Sequence, residues 1–206
     1  RIPEGDLSTT KPVTQRREPN NYEWQKRHRD ILSLNQSNPP RRVILGNSIT
    51  HFWGGEPKGP SVRGLETWEK IMRPAGFHNL GYGFDRIENV LWRVYHGELD
   101  GYKAEEVVLM IGTNNIGINN DNEIVEGIRF LLSAIRQRQP EAKIKVIGIL
   151  PPQPRRTGKE SQSPHPSNGR DRMVHVQEPG YEVASRRRQD KRILILRRIT
   201  PERGRL

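Results

Sequence analysis

Two short polar motifs stand where an apolar run ends. Gly46-Asn47-Ser48-Ile49 follows Arg42-Val43-Ile44-Leu45, and Gly112-Thr113-Asn114-Asn115 follows Glu106-Val-Val-Leu-Met-Ile111. A serine just beyond a buried strand is a hydroxyl on rigid support, which is what a nucleophile needs. A side-chain amide at the end of the neighbouring strand can donate to a developing oxyanion, and losing such a donor typically costs about 3–4 kcal/mol. Each motif also has a plain structural reading. Serine is a good helix N-cap, and an Asn-rich stretch is a good turn because Asn tolerates left-handed backbone.

The elements that must position these residues follow from hydrophobic period. Tyr22–Leu34 reads as a helix with Trp24, Ile31 and Leu32 on one stripe, stopped by Pro39 and Pro40. Arg42–Gly46 reads as a buried strand and Phe77–Leu80 as a shorter one. Asp85–His96 reads as a helix with Ile87, Val90, Leu91 and Val94 on one side. Glu106–Ile111 is a second strong strand, Asn122–Arg138 an amphipathic helix, and Lys143–Leu150 a third strong strand. Strands alternating with helices predict an α/β fold of three layers, a parallel sheet flanked by helices. In such sheets ligands bind beyond the carboxyl ends of the strands, where both polar motifs fall.

Composition sets the remaining bounds. The chain has 206 residues and no cysteine, which excludes disulfides, thiolate metal sites and cysteine nucleophiles. Only 32% of residues are hydrophobic and mean hydropathy is −0.85, low for one compact domain of this length. No run approaches the length of a membrane-spanning helix. Residue 1 is Arg rather than an initiator Met, which leaves a secreted or periplasmic location open. Residues 1–20 are polar and aperiodic and read as a flexible lead-in; 21–152 form the expected core. Residues 153–206 are an atypical basic tail: they hold 14 of the 35 Lys and Arg and 6 of the 24 Asp and Glu, a net of +8 out of +11. Arg186-Arg187-Arg188 invites a phosphate-binding reading, but without interleaved aromatics or a recognised motif no specific nucleic-acid partner is expected.

Taken in order, the motifs resemble the signature blocks of the SGNH/GDSL-type hydrolases. GNSI is similar to the first block, Asn79-Leu80-Gly81-Tyr82-Gly83-Phe84-Asp85 to the second and GTNN to the third. The stretch from Asn79 to Asn115 is also similar to the platelet-activating-factor acetylhydrolase-type esterases, and the resemblance covers residues 22–152. It implies a flavodoxin-like sheet and a serine esterase that needs no metal or cofactor. Ser48 would be the nucleophile. Its own N–H, a backbone N–H at Gly83 or Phe84, and the Asn114 amide would hold the oxyanion. Phe84 stands where the family has glycine, and Asn47 where it has aspartate. The substrate implied is a small-molecule or carbohydrate ester, an O-acetyl group being one candidate, with Trp53 and Tyr82 as aromatic residues for lining a sugar pocket. Oligomeric state is not legible.

The family's late Asp-x-x-His pair is missing. Asp171 and His175, followed by Gly180-Tyr181, imitate it with one residue too many. His51 reads as a pocket wall and His165, between two prolines, as solvated. Reading residues 178–206 one base forward with allowed codons can give NPGMKLLRADGKINESLFFDGLHPNEAGY, which resembles the family's C-terminal segment throughout. The tail therefore reads as the product of a frameshift between Arg155 and Pro164. The chain would then be an esterase framework whose acid and base are replaced, a catalytically impaired product or pseudoenzyme.

Overall fold

In the computed structural model the described residues are 2–147 and the strands Val176–Glu178, Tyr181–Arg188 and Lys191–Arg197. By contacts the chain divides into two units, Arg1–Ile147 and Gly148–Leu206. The first is built on four parallel strands: β1 (Arg42–Gly46), β2 (Phe77–Gly81), β3 (Glu106–Met110) and β4 (Lys143–Val146), in the order β2-β1-β3-β4. The helices are α1 (Trp24–Ser37), α2 (Ser48–His51), α3 (Leu65–Thr67, continued by a π-helical turn over Trp68–Met72), α4 (Ile87–Tyr95) and α5 (Asp121–Arg138). This is the α/β architecture with a flanked parallel sheet that the alternation predicts.

Burial explains why the strands read as unbroken apolar runs. Val43 and Leu45 point to one face of β1 and Ile44 to the other, yet all three are buried, as are Val107, Val108 and Leu109 of β3. Ile44 and Val108 share a core cluster with Trp68 and Met72, against which Trp53 and Phe77 pack. The turn that supplies Trp68 and Met72 has no clear period in sequence, and no element is expected there. The ends of α5 are fixed locally. Asn120 accepts from the Glu123 N–H at 3.0 Å, while the Glu123 carboxylate accepts from the Asn120 N–H at 2.8 Å.

Helix α1 buries a stripe that is half polar: Trp24, Arg27, His28, Ile31 and Asn35. It lies where the edge strand β2 needs partners. Arg27 donates to the carbonyls of Asn79 (3.2 Å) and Gly81 (2.9 Å) on β2 and of Pro57 (2.7 Å), so three carbonyls are closed by one guanidinium. With burial outweighing the influence of Tyr82 and Glu98, its pKa is lowered.

The segment expected to be a flexible lead-in is instead anchored. Thr9 and Thr10 are buried, and Thr9 Oγ1 donates to the Glu123 carbonyl at 2.8 Å. The Val13 carbonyl accepts from Asn89 Nδ2 at 2.9 Å, and Gln15 is buried against the loop after β2. Polar side chains hold this segment, which is why hydrophobic period does not reveal it. Helix α4 is shorter than the expected Asp85–His96, because Asp85 belongs to the preceding turn and Arg86 is the cap. Strand β4 runs to Val146, and Ile147 continues the ladder with an N–H donated to the Leu109 carbonyl at 2.8 Å. The expected extension over 148–150 lies outside the described residues.

The second unit contains strands β5 (Val176–Glu178), β6 (Tyr181–Arg188) and β7 (Lys191–Arg197), paired antiparallel in that order. The apolar run Ile193–Leu196 lies on β7.

Candidate active site

The parallel register brings the three polar motifs side by side. Gly46 pairs with Gly81 on one flank and with Met110 on the other, so the loops after β1, β2 and β3 leave the sheet at one edge. The first carries Ser48, the second Gly83 and Phe84, the third Asn114.

Ser48 opens α2, and the cap of that helix is Asn47. The Asn47 Oδ1 accepts from the Ile49 N–H at 3.0 Å, and its carbonyl accepts from His51 N–H at 2.9 Å. The capping alternative for the serine therefore falls away: Ser48 is the first helical residue, half-buried, and Asn47 is the cap. Close packing holds the turn. A Cβ on Gly46 would lie 2.1 Å from Thr50 Oγ1 and 2.9 Å from the Met110 carbonyl. From β2, Asn79 Nδ2 donates to the carbonyls of Thr50 (2.7 Å) and Gly54 (2.6 Å), while its Oδ1 accepts from Gly81 N–H at 2.8 Å. Asn79 thus ties the serine turn to the neighbouring strand.

In the second loop, Gly83 and Phe84 differ. The Gly83 N–H donates to His51 Nδ1 at 3.0 Å and is engaged inside the protein. The Phe84 N–H has no hydrogen-bond partner among the described residues. Phe84 has a φ of 59° and is the one non-glycine residue with positive φ among the described residues. That conformation is costly for a bulky side chain and is held by the surroundings. The Gly83 carbonyl accepts from Tyr22 Oη (2.6 Å) and Gln15 Nε2 (2.9 Å), and the Phe84 carbonyl from Arg17 at 3.0 Å. His51 is turned away from base chemistry: its Nδ1 accepts from Gly83 N–H, and burial, with Arg27 and Arg93 nearby, holds its pKa down to about 2. The ring is kept neutral.

In the third loop the left-handed residues are Gly112, with φ 110°, and Gly117, with φ 85°, so neither Asn114 nor Asn115 is there for its turn conformation. Asn115 is fully buried. Its Oδ1 accepts from Ile87 N–H at 3.1 Å, and its Nδ2 donates to Glu88 and Asn119, each at 3.0 Å. Asn114 is half-buried and uses one amide N–H, to the Asp85 carbonyl at 2.9 Å.

The GDSL-like Lipase/Acylhydrolase family profile matches residues 44–181. The chain belongs to this family. The GDSL-like chain is 28% identical over 152 residues to platelet-activating factor acetylhydrolase IB subunit alpha1 of Homo sapiens, covering 74% of this chain and 58% of that protein. It is 31% identical over 128 residues to the alpha2 subunit of Homo sapiens, covering 62% and 52%. It therefore spans little more than half the length of these curated relatives. A solved Streptococcus pneumonia structure described as that of a platelet activating factor aligns at TM-score 0.47 and 22% identity, over 64% of this chain and 57% of that one.

A buried charge cluster lies beneath the site of this GDSL-like hydrolase, and the sequence gives little sign of it. Arg93 is inaccessible and bridges two inaccessible carboxylates. Its Nε donates to Asp85 at 2.9 Å and its Nη1 to Glu98. Glu98 also accepts from Tyr82 Oη and pairs with His28 Nδ1 at 2.9 Å. Burial would raise Glu98, but Arg93 and the bonds from His28 and Tyr82 keep its pKa below the ordinary value. Asp85 goes the other way: burial prevails over Arg93 and raises it to about 6. The Arg93 guanidinium lies 3.9 Å from the Tyr82 ring centre, and Arg27 is 5.2 Å from it. Tyr82 is thus a core residue and is not available to line a sugar pocket. Trp53 packs edge-on against Trp68, ring centres 6.2 Å apart. Asp171, His175 and His165 lie outside the described residues. No described helix is long and apolar enough to cross a membrane.

Proposed function

We propose that the chain carries the acyl-transfer site of a serine esterase, with Ser48 as nucleophile. One observation carries the reading: Ser48 and two unengaged donors, the Phe84 N–H and an Asn114 amide N–H, occupy loops at the carboxyl ends of three adjacent strands. The Ser48 Oγ attacks an ester carbonyl and gives its proton to a base. The tetrahedral oxyanion takes hydrogen bonds from the Ser48 N–H, the Phe84 N–H and Asn114 Nδ2. The alcohol leaves with a proton, and water then releases the acid and restores the serine. Exposed Ile49, Phe84, Ile116 and Ile118 lie on the same three loops. They favour a small ester with an apolar flank, and the carbohydrate O-acetyl reading loses Tyr82 as support. Labelling by a fluorophosphonate, abolished by Ser48→Ala, tests the proposal; an unlabelled wild-type protein refutes it.

A second reading has its own observation. No described histidine or carboxylate is bonded to Ser48, and His51 is committed to Gly83. This supports a catalytically impaired product in which a shifted reading frame has removed the Asp-x-x-His pair; in an unshifted frame, Asp171 and His175 are the first candidates for acid and base. The coding DNA over codons 150–206 decides: a one-base shift that restores Asp-x-x-His supports it, and its absence removes it.

A further inference from the structure

The two unengaged oxyanion donors converge on one residue outside the reacting groups. Phe84 N–H precedes Asp85 by a single residue, and the Asp85 carbonyl is the group that Asn114 Nδ2 holds at 2.9 Å. An amide has two N–H groups in one plane, so fixing the first sets the direction of the second. The position of Asp85 therefore governs both donors.

Its carboxylate is held from three separate segments. Oδ1 accepts from Trp24 Nε1 on α1 at 2.8 Å and from Gln15 Nε2 of the N-terminal segment at 3.1 Å. Oδ2 accepts from Arg93 Nε on α4 at 2.9 Å. The carboxylate is inaccessible to solvent. Were Asp85 needed only to neutralise Arg93, Glu98 already supplies a buried carboxylate to that cation, and the bonds from Trp24 and Gln15 would have no purpose. Three successive carbonyls of the loop are each held by a side chain: Gly83 by Tyr22 and Gln15, Phe84 by Arg17, Asp85 by Asn114. The N–H between them, that of Phe84, is left open. A loop fixed on its acceptor side with a free donor is a preorganised site for developing negative charge.

We propose that Asp85 is a positioning residue for acyl transfer: its clamped carboxylate fixes the peptide that aims both the Phe84 N–H and the Asn114 amide. The inference rests on the serine-esterase reading above, and its test separates the two. Full-length wild type, Asp85→Asn, Trp24→Phe and Gln15→Ala are compared by two readouts. The first is fluorophosphonate labelling of Ser48, resolved into probe affinity and maximal rate. The second is NMR hydrogen exchange of the Asn114 side-chain amide, which needs no reactivity. Asp85→Asn should lower the maximal labelling rate about tenfold or more with probe affinity within about twofold, since misaimed donors act on the transition state. It should also speed Asn114 amide exchange by about tenfold, with smaller effects in the other two variants. An Asn114 exchange rate unchanged in Asp85→Asn, or a labelling loss confined to probe affinity, overturns the proposal. If wild type is unlabelled but Asp85→Asn still frees the Asn114 amide, the positioning stands and the nucleophile reading falls. If Asp85→Asn does not fold, Trp24→Phe and Gln15→Ala carry the same comparison, and no change in either readout overturns the proposal.

Discussion

Replacing Gly81 with alanine should dislodge the serine turn. The added Cβ would lie 2.4 Å from His51 N and 2.7 Å from both Thr50 C and Thr50 Cβ. Two of these are backbone atoms of α2, so no side-chain rotation relieves the overlap. Restoring an ordinary contact of 3.4 Å requires α2 and β2 to part by about 1 Å. Asn79 resists that movement, because it bonds Thr50 and Gly54 on one side and Gly81 on the other. Overpacking of this kind costs about 1–3 kcal/mol. A displacement of about 1 Å at a reacting group can cost about a hundredfold in rate. Urea unfolding and fluorophosphonate labelling measure the two effects. Gly101→Ala is the control: φ there is +82°, and nothing lies within 4 Å of the new Cβ. It should lose about 1 kcal/mol from backbone strain alone and leave labelling unchanged. A Gly81→Ala protein as stable as wild type, or less affected than Gly101→Ala, refutes the packing argument.

Asn79→Ala leaves two carbonyls and one N–H without their partner in a buried place, and should cost about 3–5 kcal/mol by urea unfolding. His51 should show no titration between pH 5 and 8 by NMR, since its pKa is held down to about 2. Two buried groups should oppose each other in acid. The folded protein leaves His51 neutral where the unfolded chain binds a proton, so this group removes stability as pH falls below 6.5, at about 1.4 kcal/mol per unit. Asp85, raised from 3.8 to about 6, holds a proton in the folded state that the unfolded chain lacks, so it adds stability as pH falls from about 6 to 3.8. Between pH 6 and 4, Asp85→Asn should therefore steepen the acid loss and His51→Gln should flatten it; the opposite order in urea midpoints contradicts the assignment.

The features legible in the sequence were those with a short repeat or a local motif. The apolar runs at Val43–Leu45 and Val107–Leu109 reveal strands because both faces are covered, and Ser48 and Asn114 stand out as candidates because they lie just past those runs. What stayed hidden depends on polar contacts between distant positions. Arg93 and Glu98 look like ordinary surface charges in an amphipathic stretch, and only the fold buries them against Asp85, Tyr82 and His28. Gln15 and Arg17 carry no period at all, yet they hold the loop of Phe84. Gly83 and Phe84 are adjacent, and the hydrogen bond to His51 distinguishes them where the motif cannot.

The anchoring of the N-terminal segment has a consequence for the order of assembly. Residues 8–22 are made well before the groups they hold. Thr9 bonds the carbonyl of Glu123, 114 positions on, Ser8 accepts from Asn119, and Gln15 reaches Gly83 and Asp85. Contacts of such separation form only after the intervening chain has closed its loop, which is slow and entropically costly. On the ribosome, Gln15, Arg17 and Tyr22 must therefore wait until the loop after β2 has emerged, and Ser8 and Thr9 until the start of α5 has. Strands β1 to β3 and the serine turn can form before α5 emerges, while the Phe84 loop acquires its fixed geometry only when the earlier-made segment returns to it.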